Sequence, residues 1–524
     1  MNLRTCMILV LFFVCLIYAQ ESDSSSIIFD DSKVHYYELQ FYYSSWQDSL
    51  LYYKSLPDED YIPARMIYRI SETDSIVLDS VGVRYKGNSS YVFAAKSPKK
   101  PFKFSFDKYR DGRRFFGVKK LNFSNAAKDP SMLREKISYD ILGKLMPSPR
   151  ACFAVISIEG EMIGLYTQIE QVDKTFLKRY FSNNDGNLYK SSDNGSTLLF
   201  RSENQSDYEA EYELKTNEKE NDWSRFVGMI KNLNSDENAE TVVPLGSYLD
   251  TDIICRYLAF NMVFSNFDSY TGSGRNFYLY DDLSKSRFTL IPWDLNLSFG
   301  AYSNNWNVKT TDIITISNLK QRPLSRRIIE DDSLREVYLG YIRLISEEML
   351  CSDSVAKLTE KYSLLIDSLV KEDKNKLHSY DEFQKNIDSD VTIIDNMSRV
   401  TIPGLTSFCT QRCAALQTQL ESCTPVINPS SKHKPESISQ FHFQVCSSNK
   451  IRFRYILNTL VRDFRIEVVN MAGKIVFSES ASGKPAGIYD SQWSAASSGQ
   501  GVFAVRILSG RKLLQTGKFI VLKQ

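Results

Sequence analysis

Three oxygen-bearing side chains stand out within residues 266–300, NFDSYTGSGRNFYLYDDLSKSRFTLIPWDLNLSFG. Asp268 lies in a polar, Gly-rich loop, Asn276 precedes a strand-like run of aromatic and apolar residues, and Asp294 follows the strand-like FTLIPW. An acid, an amide and a strand-end acid, in that order, can orient a hydroxyl and hold Mg²⁺ at a phosphate chain, which is what phosphoryl transfer requires. Each residue singly is also an ordinary turn former, because Asp and Asn satisfy nearby backbone donors. Their combination in one strand–loop–strand unit is what points to chemistry.

Phosphoryl transfer also needs groups that neutralise a polyanion. Residues 85–90, YKGNSS, follow a strand-like run, and Lys86, Asn88 and Ser89 there can offer an ammonium, backbone N–H groups and hydroxyls to phosphate. The same run also reads as an ordinary hairpin turn. Lys103 alternates with Phe102 and Phe104 and so points away from their face; it is either a phosphate-pairing strand lysine or an exposed one. Trp293, beside Asp294, can stack on a base or fill the core. Tyr166 and Glu170 close a strand just before a helix-like segment, where a connection between two lobes would sit.

These residues need elements to position them. Residues 34–106 read mostly as short strands rich in β-branched and aromatic residues. Asp129-Pro130 then opens a helix, with Asp as N-cap and an apolar stripe at Leu133, Ile137, Ile141 and Leu145. At about 100° per residue, Glu135 falls on the flank of that stripe and could meet Lys103, whereas Arg134 falls near its centre. A buried arginine needs a carboxylate or a phosphate partner. Two further strands follow, CFAVISIEG and EMIGLYTQIE, then a polar insertion or long loop at 191–222, and helices at 223–233 and 247–265. From about 324 to 420 the pattern is helical. A strand-rich half followed by a helix-rich half predicts one α+β domain with two lobes, residues 34–423. Residues 424–437, with three prolines, read as a linker. Beyond it, residues 438–524 predict a small all-β Ig-like sandwich.

The whole chain narrows the choices. Its 524 residues are 43% hydrophobic and 13% aromatic, the composition of a folded protein. Lys+Arg 64 against Asp+Glu 63 gives a net charge of +1 and no electrostatic drive toward nucleic acid. Arg4, the apolar run at 7–18 and Ala19 have the order of a secretory signal peptide (1–19), followed by a mobile leader (20–33). No later run is long enough to span a membrane. The seven cysteines beyond residue 19 are an odd number, so they form no disulfide framework, although one local bridge among Cys409, Cys413 and Cys423 is possible. None of the four histidines lies in a segment that looks like a site, which disfavours histidine-based catalysis.

The order VGVRYKGNSS, KKPFKFSFDKY, LNFSNAAKDPSMLREKISYDIL, GLYTQIEQVDKTFL, GNLYK and NFDS…RNFYLY…IPWDLNLSFG resembles the CotH family across roughly residues 30–420. These spore-coat-protein-H-like proteins have an atypical, minimal protein-kinase-like fold. The resemblance implies ATP- and Mg²⁺- or Mn²⁺-dependent phosphorylation of proteins, mainly on serine. Asp268 matches the family's catalytic acid and Asp294 its metal-binding acid, while Trp293 is the candidate for one of the rings that hold adenine. No HRD or DFG sequence stands here and the phosphate loop is not GxGxxG, so Lys103 and Glu135 enter by analogy. The C-terminal segments MAGKIVFSES, GQGVFAVRILSG and TGKFIVLK resemble the sorting domains of exported bacterial proteins, implying export machinery of a type IX-like route as a partner. Two alternatives stand beside a secreted kinase of surface proteins. One is a catalytically silent surface assembly or adhesion protein; the other is a carbohydrate-binding or -cleaving protein.

Overall fold

A computed structural model describes residues 23–235, 243–316, 318–395, 397–422, 438–447, 450–457, 461–470, 474–484, 487–494, 501–510 and 512–521. The expected signal peptide and linker lie outside the described residues. The chain divides into two compact units, residues 1–423 and 424–524.

The first unit begins with a closed barrel. Its elements are β1 (Val34–Phe41), α1 (Trp46–Ser55), β2 (Ile62–Arg69), β3 (Ser75–Tyr85), α2 (Ser89–Phe93), β4 (Phe102–Ser105), β5 (Lys120–Ser124), α3 (Arg134–Gly143), β6 (Ala151–Ile158) and β7 (Glu161–Glu170). The strands run in the order β1-β2-β3-β4-β5-β7-β6, and parallel pairing of β1 with β6 closes the ring. Period-two patterning drives this: in β2, Ile62, Ala64, Met66 and Tyr68 point inward and are buried. Rings fill the barrel, with Phe104 and Phe123 centred 4.5 Å apart. The expected strands are present; α1, between the first two, carries no strong apolar period and is absent from the sequence reading.

The helical region follows: α4 (Lys174–Tyr180), β8 (Leu188–Ser191), β9 (Tyr212–Leu214), α5 (Ser224–Leu233), α6 (Thr251–Val263), β10 (Phe277–Asp282), β11 (Arg287–Pro292), α7 (Pro323–Glu330), α8 (Asp332–Ile345), α9 (Ser354–Glu372), α10 (Tyr380–Asp388), β12 (Val391–Asp395), β13 (Ser398–Ile402) and α11 (Leu405–Ser422). A four-stranded sheet, β11-β10-β8-β9, backs the site. The chain is therefore α+β, as expected. The polar stretch 191–222 contributes β9 to that sheet rather than forming a free insertion. No described helix is long and apolar enough to cross a membrane.

Two buried ion pairs fasten the barrel to the helices. Lys99 bonds Asp373 at 2.7 Å with both side chains excluded from water, and Asp373 also accepts from Leu165 N. Arg134, fully buried, pairs with Asp129 and donates to Ser131, Asn386 Oδ1 (2.9 Å) and the Pro403 carbonyl. This settles its partner as a carboxylate. The pairing also moves the helix start: Asp129 does not cap at 130 but accepts from Arg134 N, so α3 begins four residues later.

The N-terminal segment corrects the expectation of a mobile leader. Ile28 and Phe29 join the barrel core, and the Ile28 carbonyl accepts from Gln168 Nε2 at 2.6 Å. Apolar burial is what docks it.

The second unit has β14 (Ile438–Ser447), β15 (Lys450–Leu457), β16 (Val461–Asn470), β17 (Ile475–Lys484), β18 (Gly487–Ser494), β19 (Gly501–Ser509) and β20 (Lys512–Val521). They form two antiparallel sheets, β14-β15-β18 and β17-β16-β19-β20, around a shared core of Phe453, Ile466, Trp493 and Val505.

Cys413 bridges not to a near neighbour but to Cys351, 62 residues away, joining α11 to the turn after α8. Cys152, Cys255 and Cys409 are free. Closing a loop of that length restricts the unfolded chain by about 4 kcal/mol. Replacing Cys351 and Cys413 by serine should therefore lower the unfolding free energy of the first unit by about that amount, measured by denaturant titration.

Candidate active site

Residues 266–276 form a loop braced from below. Ser273 N returns to the Phe267 carbonyl at 2.9 Å, and Arg322 Nε donates to the Tyr270 carbonyl at 2.7 Å. A Cβ at Gly272 would stand 2.0 Å from the Phe267 carbonyl oxygen, so the turn admits only glycine. Asp268 sits half-buried on this loop, and Asn276 Nδ2 donates to its carbonyl (2.7 Å) and to its Oδ2 (3.0 Å). Asn276 in turn accepts from Trp293 N at 3.1 Å across the open end of the β10–β11 hairpin. Asp294 comes next. Both Asn276 and Asp294 adopt left-handed backbone, φ 60° and 52°, a conformation these residue types tolerate and most others resist. The hairpin thus sets the three oxygen-bearing residues side by side.

From the barrel side, Lys86 reaches the same place. It leaves the end of β3, its N–H bonded to the Pro101 carbonyl at 3.0 Å, and its ammonium lies 5.6 Å from the centre of the Trp293 ring. Gly87, at φ 75°, turns the chain away behind it. Glu135, only 4% exposed, extends from α3 toward the same ammonium. Four residues on, the Tyr139 hydroxyl accepts from Asp294 N at 2.9 Å, so one helix face fixes both ends of the charge cluster.

The electrostatics follow from one cation and two carboxyls that face one another, Glu135 buried and Lys86 and Asp294 half-buried. Burial, then the Asp294 charge, pushes Glu135 up to about 8, with Lys86 opposing. Burial, opposed by Lys86 and reinforced by Asp268, pushes Asp294 up to about 6. Burial lowers Lys86, and the two carboxylates resist that shift. The cluster has room for more positive charge.

Lys103 does not meet Glu135, contrary to expectation. Its neighbours Phe102 and Phe104 point into the barrel, which turns Lys103 outward beside Arg84, its cross-strand partner. Burial, then Arg84, Lys120, Lys190 and Lys86, drive its pKa well down; the charges acting on it most strongly are all positive. Burial and the repulsion of Lys190, Lys120 and Arg84 bring Lys215 down to about 8. A rim of cations therefore faces the Lys86–Asp294 cluster.

Other expected residues are placed as follows. Asn88 and Ser89 lie exposed at the loop into α2, and Asn88 bonds Asp193. Trp293, 8% exposed, packs edge-on against Tyr278 with centroids 5.6 Å apart. Tyr166 lies in the barrel core against Phe102, so it lines no cleft. Glu170 ends β7, but its carboxylate is held by Arg150 and Arg179 and is not free for a ligand. Tyr139, Lys190 and Arg322 were missed. Only Tyr139 had a signal, its i+4 spacing from Glu135.

A divalent cation fits this donor set. Asn276 turns its amide nitrogen to Asp268, which leaves its side-chain oxygen as a hard donor, and Asp294 follows the facing strand with a second. Among the described residues no three His, Cys, Asp or Glu side chains are close enough to hold a metal alone. Mg²⁺ is commonly bound through one or two carboxylates, its shell completed by phosphates and water.

The sequence profile described as "CotH kinase protein" matches residues 83–400. An α+β chain with a carboxylate–lysine cluster beside a braced acidic loop is thus placed in a class of kinase-type domains. The chain belongs to the CotH family. It is also 26% identical over 355 residues, 66% of this chain and 91% of the relative, to the inner spore coat protein H of Bacillus subtilis (strain 168).

The raised carboxyls give a pH signature. Both bind protons more tightly folded than unfolded, so their contribution is full below about pH 4 and is lost as pH rises through 6 and then 8. Without metal, stability should fall across that window. Asp294→Asn should flatten the lower part and Glu135→Gln the upper, as read from denaturant midpoints at several pH values.

Proposed function

We propose that this protein is an exported kinase that transfers the γ-phosphate of ATP to serine or threonine hydroxyls of exported or surface proteins. The observation that carries the reading is the Lys86 ammonium facing the Glu135 and Asp294 carboxyls, whose charges act on it. A lysine facing a helix glutamate and a metal-side aspartate is the arrangement that kinase-type sites use to grip a phosphate chain. Asp268 orients the acceptor hydroxyl and takes its proton as the oxygen attacks phosphorus and the bridge to ADP breaks. Asn276 and Asp294 would hold a divalent cation, Mg²⁺ or Mn²⁺, which would supply charge neutralisation at the phosphates. Lys86 and the cations around Lys103 and Lys190 match a polyphosphate in sign, and the N–H groups near Asn88 and Ser89 lie at the same loop. Two-lobed kinase-like architecture fits the barrel and the helical region.

The expected signal peptide supports export, and the C-terminal β unit is proposed as the sorting or attachment module. The relative's name, a spore coat protein, favours a second reading, a surface assembly protein that retains the fold without turnover.

A thermal-shift and phosphate-incorporation series separates the two. ATP with Mg²⁺ or Mn²⁺ should raise the melting temperature of the wild type, and Asp294→Ala should abolish that shift. Asp268→Ala should keep the shift while phosphate transfer falls by about 10²- to 10⁴-fold. Transfer unchanged in both variants would sink the kinase reading; a shift with no transfer in the wild type favours the assembly reading.

A further inference from the structure

The N-terminal segment does more than pack into the barrel core. It begins at the connection out of the barrel, where Arg150 and Arg179 hold Glu170 and both lie near Asp23, at 3.2 and 3.7 Å. Arg150 also donates to Ser25 Oγ at 2.6 Å and covers the Phe29 ring. Ile28 is fully buried. The segment then emerges beside α3 and presents Asp31.

Asp31 ties three elements together. Its Oδ2 accepts from Lys136 Nζ at 2.8 Å and from the Tyr362 hydroxyl at 2.7 Å, and its Oδ1 pairs with Lys361 Nζ at 3.0 Å. Lys136 is the residue after Glu135, and its side chain is 1% exposed. An ammonium so deeply buried is tolerable only while paired. Its other partner, Asp140, belongs to α3 itself and anchors the lysine without anchoring the helix to the N-terminal segment. Tyr362 extends the link to α9 by bonding Asp140 as well. Remove Asp31, and Lys136 still has an anion, but α3 loses its tie to the barrel floor.

We propose that the N-terminal segment is a positioning clamp for α3, and that through Asp31 it sets Glu135, and so Lys86, in place for phosphate. Asp31 is then a positioning residue more than 100 positions before Glu135 in sequence. Its effect on phosphate binding rests on the nucleotide reading above; its effect on α3 does not. Processing of the exported chain that cut past Asp31 would release the helix.

Hydrogen exchange on the full-length chain tests the clamp directly. In Asp31→Asn, amides of α3 should exchange faster while those of α8 and α10 stay as in wild type. Tyr362→Phe, which keeps every charge, should give the same local pattern, and it carries the comparison if Asp31→Asn does not fold. Asp31→Glu should restore protection. Titration with ATP and Mg²⁺ supplies the second arm: Asp31→Asn should weaken binding by about 5- to 50-fold. In a Glu135→Gln background it should add nothing, because the clamp acts through that glutamate. Unchanged α3 exchange in both Asp31→Asn and Tyr362→Phe overturns the proposal, as does a fully additive loss in the double variant. A wild type that binds no ATP overturns the nucleotide reading, and the exchange comparison still decides the clamp.

Discussion

The structure is organised around one half-buried ammonium that faces two carboxyls. Lys86 comes from the end of a barrel strand, Glu135 from a helix and Asp294 from the far end of a hairpin, so no single element can form the cluster. Partly burying these charges costs free energy that their attraction offsets only when they face one another. That arrangement requires the barrel, α3 and the β10–β11 hairpin to be in register with one another. Both carboxyls are held above their usual range, so positive charge arriving from outside would favour their ionised forms.

Helix α3 carries the largest share of that burden. It is strapped near its start by Arg134 to Asn386 and Pro403, and along its length by Lys136 and Asp140 to Asp31 and Tyr362. Tyr139 adds the bond to Asp294 N. Buried pairs of this kind contribute little net stability, because desolvation offsets attraction, but they leave a helix few alternative positions. A site that depends on the direction of one glutamate benefits from that restriction.

Much of this was legible in the chain. Asp268, Asn276 and Asp294 stood out by order and context, because a loop acid and a strand-end acid flanking a hairpin are local features. The barrel strands were legible too, since period two is local. Spacing leaves Lys103 free to meet Glu135, but it is Lys86 that faces the glutamate: alternation shows that Lys103 leaves the barrel, not which side of it the helix occupies. The N-terminal segment was taken as mobile because its Ser- and Asp-rich composition hides the two residues, Ile28 and Phe29, that dock it. Arg134 announced a buried partner, yet Asn386 and Pro403 lie more than 250 positions away, beyond any sequence pattern. The bridge from Cys351 to Cys413 was hidden for the same reason.

The bond from Trp293 N to the Asn276 carbonyl has a consequence for how this chain can change. It closes the last rung of a ladder whose closed end is the turn at Asp282 to Lys285, where Lys285 N returns to the Asp282 carbonyl. The separation of the loop acid from the strand-end acid is fixed by that rung, not by how many residues the chain spends between them. Lengthening at the turn would leave the site's dimensions untouched, whereas a slip of one residue along the ladder would turn every side chain of one strand to the opposite face. The hairpin works as a caliper, indifferent to the size of its handle and intolerant of any error at its jaws.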